Sequence, residues 1–257
     1  MRILPSVIVT LNELKNVRSL AKDNCKQLLA TDASACKADI ILVTETHFKS
    51  RHDDSASRID GYNCFRVDRL KRKGGGVCIY VKHSIKATHL SLKHSLTNAE
   101  YVWVTFTVSD VAEVYLCCCY HPPKPNYNSR DLLQLLCEHV EEVLAMNNNA
   151  VVVIAGDFNQ LNYSELEVDL GFSQLVHQNT RGSNILDKFL TNRPDLFSSV
   201  TVFDSLVKSD HRAILVQGVS NDHCPPVQQQ HLKFVVYDRT PKHINELSTA
   251  LLMGRFA

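Results

Sequence analysis

The segment from Val151 to Asn159, VVVIAGDFN, constrains the fold more than any other part of the chain. Its run of β-branched and apolar residues predicts a strand that is buried on both faces. Asp157 and Asn159 follow where this strand ends, and because they are two residues apart, their side chains are expected on the same side. In open α/β folds, ligands gather at the carboxyl ends of strands. The alternative is a strand that an Asx turn closes, with no chemical role.

Length and composition describe an ordinary globular chain. Its 257 residues are enough for one large α/β domain, and 44% hydrophobic with 21% charged residues is a typical balance. A net charge of +1 means that any surface for nucleic acid must be local. The nine cysteines include no C-x-x-C pair, so we expect buried reduced thiols in an intracellular protein. No membrane span or signal peptide is recognisable.

Short apolar segments separated by loops predict seven strands. They are Ser6–Thr10, Ile40–Thr44, Gly76–Val81, Tyr101–Val108, Val114–Cys119, Ala150–Ala155 and Ala213–Gln217. Helices are predicted from about residue 21 to 29 and over 128–146, where apolar residues recur on one face. The grouping of strands favours mixed or antiparallel sheets. From residue 219 the chain becomes polar and rich in Pro and Gln, so we predict a domain over 1–218 and a linker or tail over 219–257.

Four further polar clusters stand next to predicted strands, and each has a plain structural interpretation. Glu45 is a solvated loop acid in that interpretation, Tyr120 caps an edge strand, and Asp210 with His211 forms a surface pair. Together with Asp187 and the GDFN segment, however, they match what metal-assisted phosphodiester hydrolysis requires. A metal neutralises phosphate charge, a carboxylate activates water, and a histidine kept protonated by a second carboxylate stabilises the transition state.

The order of short motifs along the chain resembles the endonuclease/exonuclease/phosphatase superfamily. From about residue 6 to residue 216 these motifs are NVRSL, TET, GGGVxIYV, YxPP, GDFN, TRGxxxLD and SDH. GDFN and SDH are typical of the superfamily. The segments NVRSL, TET, YxPP and TRGxxxLD look like the apurinic-type endonuclease domain of LINE-type (non-LTR) retrotransposon proteins. The tail is similar to the connector that leads to a reverse transcriptase in such proteins, so we expect a fragment or a degraded copy.

The resemblance implies a DNase I-like four-layer α/β sandwich, in which two packed mixed β-sheets are flanked by helices and the site lies at one end. It also implies a role for each matched position. The implied catalytic residues are Asp157, Asn159, Tyr120, Asp187 and His211. The implied metal ligands are Glu45, Asn16 and Asp210, and the implied phosphate or supporting contacts are Thr180 and Ser209.

In this scheme Asp157 activates water, Asn159 holds the water and the phosphate, and Tyr120 donates to a phosphate oxygen. His211, held by Asp187, stabilises the phosphorane. The implied cofactor is Mg²⁺, with Mn²⁺ as a substitute, and the implied partner is DNA, with a separate or lost reverse transcriptase. Neither a membrane nor a small-molecule cofactor is expected, and the nucleus is the expected location. Hydrolysis would leave a 5′-phosphate and a 3′-hydroxyl, and in this family the 3′-hydroxyl primes reverse transcription.

A basic segment, RVDRLKRK over 66–73, precedes three glycines. It predicts a loop that follows the DNA backbone without reading sequence. The alternative is a solubilising hairpin turn. The predicted DNA contacts are Arg66, Arg69, Lys71, Arg72 and Lys73.

Three features depart from the family pattern. Residues 11–15 look like an insertion that would displace Asn16, His121 stands where arginine is common, and Lys188 places a cation beside Asp187 that would compete with His211. Two other functions therefore stay open beside a metal-dependent endonuclease. One is a catalytically impaired relic that binds nucleic acid, and the other is a phosphatase or phospholipase of the same superfamily.

Overall fold

The computed structural model describes residues 7–11, 20, 23–70, 72–108, 112–207 and 209–219, and for 7–11 and 23 it describes the backbone alone. Asn16, Lys71, the proposed insertion beyond Leu11 and the tail beyond residue 219 lie outside the described residues. The boundary at residue 218 therefore stays a prediction.

The described residues form twelve strands and four α-helices. The strands are β1 Val7–Leu11, β2 Ile40–Thr44, β3 Tyr62–Val67, β4 Val77–Lys82, β5 Ala87–Leu90, β6 Glu100–Val108, β7 Ala112–Tyr120, β8 Val151–Asp157, β9 Ser173–Gln174, β10 Asp187–Thr191, β11 Phe197–Phe203 and β12 Ala213–Gly218. The helices are α1 Asp23–Ala35, α2 Asp54–Ser57, α3 Ser129–Met146 and α4 Ser164–Val168, and a 3-10 turn spans Pro194–Leu196. Among the described residues, no helix has the length and apolar character needed to cross a membrane.

The strands assemble into two six-stranded sheets. The order of the first sheet is β11-β12-β1-β2-β4-β3, and that of the second is β5-β6-β7-β8-β10-β9. The pairs β1–β2 and β7–β8 are parallel, and the other pairs are antiparallel. Both sheets are therefore mixed, as the sequence predicts.

Two packed sheets with helices on both outer faces make four layers. Side chains such as Leu42, Ile79, Leu116 and Val153 meet between the sheets. On the outer face of the first sheet, the buried residues of α1 pack with those of β2 and β4. On the outer face of the second sheet, α3 and α4 pack against β7 and β8. The DNase I-like sandwich expected from the motif order is confirmed.

The seven predicted strands are all present, with ends shifted by up to two residues, and β2 has the predicted bounds. The structure contains strands that the sequence reading missed, and the most important for function is β10, DKFLT. It escaped notice because charged and polar side chains interrupt its apolar pattern, although all five residues are buried. The first helix was predicted too short: it continues to Ala35, and Lys37 with φ +52° follows its end.

The reduced state of the thiols stays a prediction, but the expected burial is seen for three of them. The run Cys117, Cys118 and Cys119 is fully buried in β7, and none of these three forms a disulfide. Burial raises the pKa of each of these three thiols, which makes them poor nucleophiles at neutral pH. They serve as small core side chains.

Candidate active site

Four polar side chains stand in one row across the second sheet. Glu100 is paired with Tyr120, Tyr120 with Asp157, and Asp157 with Asp187, so that β6, β7, β8 and β10 each contribute one residue. None is more than 3% exposed. Because side chains alternate along a strand, each ends a row of apolar residues that faces the first sheet. The row therefore closes the core between the sheets at one end of the sandwich.

In the GDFN segment, Asp157 both ends a buried strand and closes an Asx turn. Asp157 ends β8, whose seven residues are all buried, and its Oδ1 accepts a hydrogen bond from the Asn159 backbone N at 3.0 Å, which is an Asx turn. The Asn159 side chain is also positioned, since Nδ2 donates to the His121 carbonyl oxygen at 2.8 Å. Gly156 is required at its position because a Cβ there would lie 1.9 Å from the Cys119 carbonyl oxygen.

Asp187 and His211 form a buried hydrogen-bonded pair. His211 Nδ1 lies 2.9 Å from both carboxylate oxygens of Asp187. The Thr180 hydroxyl accepts from the backbone N of Leu186 at 3.0 Å and of Asp187 at 3.3 Å. Ser209 Oγ accepts from the His211 backbone N at 3.0 Å. In this structure Thr180 and Ser209 thus hold the backbone that presents the pair.

Asp157 and His211 both have raised pKa values, so each favours its protonated state. Burial first, and then the charge of Asp187, raises the pKa of Asp157 to about 8. Burial alone would lower the pKa of His211, but its hydrogen bond with Asp187 and the charges of Asp187 and Asp157 outweigh burial and raise it to about 9. At neutral pH the imidazole is therefore a cation, which suits stabilisation of a developing negative charge.

Glu45 and Tyr120 bring the first sheet into the site. The Tyr120 hydroxyl donates a short hydrogen bond to Glu45 Oε1, and Glu45 Oε2 lies 3.8 Å from His47 Nε2. Burial and the charge of Glu45 raise the pKa of Tyr120, so it stays a donor. Glu45, His47 and Asn159 all have left-handed backbone, with φ of +54°, +57° and +44°. Such conformations cost roughly 1–3 kcal/mol each and cluster at functional sites.

Asp210 is part of an ion pair that the sequence analysis did not anticipate. Its Oδ2 lies 2.6 Å from Nη2 of Arg181, the arginine of the TRG motif. The Arg181 charge lowers the pKa of His211, against the larger effect of Asp187. The assignment of Asp210 as a metal ligand stays a prediction.

The donor set of the site fits a hard divalent cation. The carboxylates of Asp157 and Asp187 offer oxygen atoms within 4.8 Å of each other, whereas the protonated imidazole of His211 in the same group is not a ligand. The pKa of Asp157 is raised by the charges of both Asp187 and Glu45, so a cation near Asp157 would relieve the repulsion. Carboxylate oxygens such as those of Glu45 and Asp157 are ligands that Mg²⁺ and Mn²⁺ favour.

The predicted DNA-contacting arginines and lysines fall into two groups. Arg66 belongs to β3, not to a loop, and its Nη2 donates to the His52 carbonyl oxygen at 2.6 Å. The Arg69 side chain is mostly buried, and its Nε donates to Glu100 at 2.7 Å. Arg72 and Lys73 are exposed. The exposed pair is available to phosphate, whereas the two buried side chains have internal partners.

Two departures from the family pattern have clear positions. Lys188 points away from Asp187: its Nζ donates to the Ile185 carbonyl oxygen at 2.7 Å and lies over the Tyr163 ring. The Lys188 ammonium group is thus hydrogen-bonded elsewhere while Asp187 is bound by His211, and the competition stays a prediction. The His121 ring contacts the Tyr127 hydroxyl and Ser129 Oγ, each at 3.1 Å.

Sequence reasoning missed Glu100 and Arg181 as members of the site. Glu100 had a signal, because an acid directly before an apolar strand has the same pattern as the residues that were identified. Arg181 belongs to a motif that was recognised, but its partner Asp210 lies 29 residues further along the chain. No local pattern predicts that contact.

A match to a known family agrees with this geometry. The chain belongs to the Endonuclease/Exonuclease/phosphatase family, whose model matches residues 14–211. The family predicted from the motif order is confirmed. A comparison with curated proteins finds no match.

Several solved structures have a fold similar to that of this chain. They include the endonuclease domain of TRAS1, a telomere-specific non-LTR retrotransposon, with 18% identity and a TM-score of 0.62 over 84% of this chain and 98% of that chain. D. rerio TDP2 in complex with a single-strand DNA product has 13% identity and a TM-score of 0.57 over 84% and 99%. The human Nocturnin catalytic domain with bound sulfate has 14% identity and a TM-score of 0.57 over 84% and 93%. At these identities the likeness establishes the fold.

Proposed function

We propose that this chain is a metal-dependent endonuclease that hydrolyses one phosphodiester bond of DNA and so nicks one strand. The observation that carries the proposal is the buried row of Tyr120, Asp157 and Asp187, with His211 bound to Asp187 and Glu45 bound to Tyr120. These are an acid–base group, a cationic donor and a carboxylate that suits a metal. Their arrangement at one end of the sandwich supports the assignment of the three requirements of phosphodiester hydrolysis to this site.

The side chains divide the chemistry between them. Asp157 accepts a proton from the attacking water, and Asn159 orients the water and the phosphate. The imidazolium of His211 donates to a phosphate oxygen as negative charge grows there. Asp187 keeps this imidazole oriented and protonated, and Tyr120 adds a second donor. The bond that breaks is the one between phosphorus and the 3′-oxygen, so the products are a 3′-hydroxyl and a 5′-phosphate.

A divalent cation, Mg²⁺ or Mn²⁺, completes this proposal. Glu45 and Asp157 would hold it, with Asp210 and Asn16 as further candidate ligands from the family pattern. When bound, the cation neutralises phosphate charge and polarises the bond to the leaving oxygen. It would also favour the ionised form of Asp157, which the protein alone disfavours.

DNA is the proposed substrate and a retrotransposition intermediate the proposed product. The motif order and the similarity to the TRAS1 domain support this choice. The similarity to a TDP2 complex with DNA product supports DNA more generally. In target-primed retrotransposition, the released 3′-hydroxyl would prime a reverse transcriptase, which would place the protein in the nucleus.

Nicking of supercoiled plasmid in Mg²⁺, with and without EDTA, tests the proposal. We compare the wild type with Asp157→Ala, His211→Ala and the control Asp195→Asn. Asp195 is an exposed carboxylate beside β11, at the end of the sandwich away from the site. We expect relaxed circles from the wild type and the control only, and none in EDTA.

Other results would redirect the proposal. Equal relaxation by all four proteins would mean that the site is assigned wrongly. Tight plasmid binding by the wild type without nicking would favour the relic that only binds nucleic acid. Release of phosphate from inositol phosphates or hydrolysis of sphingomyelin, with intact plasmid, would favour a phosphatase or phospholipase.

A further inference from the structure

Glu100, the first residue of the buried row, binds two parts of the protein at once. Its Oε1 accepts from Arg69 Nε at 2.7 Å, and Nη2 of the same arginine lies 2.6 Å away. Its Oε2 accepts a short hydrogen bond from the Gly76 backbone N. The side chains of Glu100 and Arg69 are 4% and 14% exposed, so both charges are buried and paired. Removal of one partner of such a pair strongly destabilises the protein, because the other charge is left buried and unpaired.

Through Gly76, Glu100 reaches the backbone next to Glu45. The carbonyl oxygen of Gly76 accepts from the Thr46 backbone N at 3.2 Å, and that of Gly75 accepts from the His47 backbone N at 2.8 Å. Packing here leaves no room, since a Cβ on Gly75 would lie 2.2 Å from Arg69 Nε. The backbone of Gly75 and Gly76, the glycine segment, thus links Glu100 to the strained turn that carries Glu45.

Through Arg69, Glu100 reaches Tyr120. The guanidinium carbon of Arg69 lies over the Tyr120 ring, 5.5 Å from its centre, and the hydroxyl of this tyrosine binds Glu45. Both routes from Glu100 therefore converge on Glu45, one along the backbone and one across the tyrosine ring. The donors of Arg69 are used within the protein, since Nε binds Glu100 and Nη1 donates to the Lys73 carbonyl oxygen at 3.3 Å.

We propose that Glu100 and Arg69 form a positioning pair that fixes Tyr120 and Glu45 for catalysis, and that Arg69 does not bind DNA. This inference rests on the proposed nuclease function. Displacements of about 1 Å in a catalytic group can cost as much as 10²-fold in rate. Loss of either member should therefore lower kcat and leave the affinity for DNA unchanged.

The test is a double-mutant cycle measured on a short DNA duplex in Mg²⁺. We expect Glu100→Gln and Arg69→Gln each to lower kcat about tenfold or more, with KM within about twofold of wild type. Because the pair acts as a unit, the double variant should be about as slow as the slower single variant. The exposed Arg72→Gln provides the matched charge deletion and should raise KM with little effect on kcat.

A purely structural role would not give this pattern, and stability is measured alongside by thermal unfolding. If Glu100→Gln fails to fold, Arg69→Lys replaces it. Lysine keeps the charge but has no Nε donor beside its terminal nitrogen, so its kcat should lie between those of wild type and Arg69→Gln. The inference is overturned if Arg69→Gln behaves as Arg72→Gln does, or if both single variants keep the wild-type kcat.

A second readout is independent of nuclease activity. In NMR spectra of the metal-free protein, the Arg69 Nε–H signal should be protected from exchange, and Glu100→Gln should abolish that protection. The same substitution should shift the amide signals of Thr46 and His47 and the ring signals of Tyr120. If wild type does not nick DNA, the proposed function fails and these signals alone judge the pair. Unchanged signals in Glu100→Gln would refute it.

Discussion

Asp157 and Asp187 lie directly opposite each other on the antiparallel strands β8 and β10. Like charges in such a position repel, and the protein resolves the conflict by giving each acid a different environment. Asp187 is neutralised by the imidazolium of His211, whereas Asp157 has its pKa raised to about 8. In the proposed mechanism these two environments suit different tasks, since Asp187 orients the His211 imidazolium and Asp157 exchanges a proton with water.

The pH dependence of nicking should follow His211. Its pKa of about 9 depends on Asp187, so the protonated form and the rate should decline as the pH rises through about 9. In Asp187→Asn the charge that opposes the effect of burial is lost, so the pKa of His211 falls. We expect this decline to begin at lower pH and kcat at pH 8 to drop about 10²–10³-fold, which is typical when a charge-stabilising donor is lost.

A pH–rate profile with an NMR titration of His211 checks this. The control is Asp204→Asn, because Asp204 is exposed and pairs with Arg212, the residue after His211, without contacting the imidazole. An unchanged His211 titration in Asp187→Asn would contradict the assignment.

The metal-free protein should lose stability as the pH rises. For both Asp157 and His211 the folded pKa is above the ordinary value: about 8 against 3.8, and about 9 against 6.5. Each contribution is fully present below the ordinary pKa and is lost as the pH rises through the folded one. Asp157→Asn removes the first dependence, so at pH 7.5 we expect it to stabilise the metal-free protein by about 0.5–2 kcal/mol.

Urea unfolding at pH 5 and pH 7.5 measures the effect. The gain should be larger at pH 7.5 than at pH 5, because more of the interval between the two pKa values has been crossed, and it should disappear when a divalent cation stabilises the ionised acid. A variant less stable than wild type at pH 7.5 without metal would show that Asp157 is not under electrostatic strain.

The Thr180 hydroxyl should matter for stability more than for binding phosphate. Thr180→Val leaves the two backbone N–H groups of Leu186 and Asp187 without their acceptor, a loss of about 1–3 kcal/mol. Thr105→Val is the matched control, because Thr105 Oγ1 is buried and makes no hydrogen bond within the described part of the chain. Chemical denaturation of both variants decides the matter, and equal effects would contradict the assigned role.

Arg72 and Lys73 should set the salt dependence of DNA binding. Each exposed cation that contacts a phosphate changes the slope of log K against log salt by about 0.9, and its removal should weaken binding to all sequences alike. We expect Arg72→Gln and Lys73→Gln to reduce the slope, measured by fluorescence anisotropy. Arg193→Gln, a change at the opposite end of the sandwich, should leave it unchanged. If all three variants kept the wild-type slope, the basic segment would be excluded from the interface.

Gly75 should tolerate no side chain. Gly75 and Gly171 share a φ of +69°, but a Cβ would lie 2.4 Å from Glu100 Oε2 at the first position and meets nothing within 4 Å at the second. Gly171→Ala should cost only the backbone strain, about 1–2 kcal/mol. Gly75→Ala should cost more in thermal unfolding and should also reduce kcat. Equal losses in the two variants would mean that the glycine segment can move without consequence.

The parts of the fold that local pattern determines were predictable. Strand β2 has the predicted bounds because all its residues are buried and most are β-branched or aliphatic. Strand β10 was not predictable, since Asp187 faces the site and Lys188 extends along a different surface to Ile185 and Tyr163. Its partners are distant in sequence, so no window around it carries the pattern.

The same distinction applies to the site. Asp157, Asp187 and His211 were predictable because family motifs mark them, and the structure brings them together. Arg69 was assigned to DNA because it stands in a run of cations, yet it turns inward to an acid 31 residues away. Charge composition indicates a basic segment but does not reveal which of its members have internal partners.

Several hydrogen bonds bridge the two sheets: Tyr120 binds Glu45, His211 binds Asp187, and Glu100 is bound by Arg69 and by the Gly76 backbone N. The chain builds four of the six strands of one sheet, then the whole of the other, and returns with β11 and β12 to complete the first. A recombinant that exchanges β5 to β10 with a relative as one block would therefore keep every strand partner within each sheet. Whether such a chimaera works would depend on those bridges as well as on the packing between the sheets, so inherited compatibility resides in the contacts that join the two sheets rather than within either sheet.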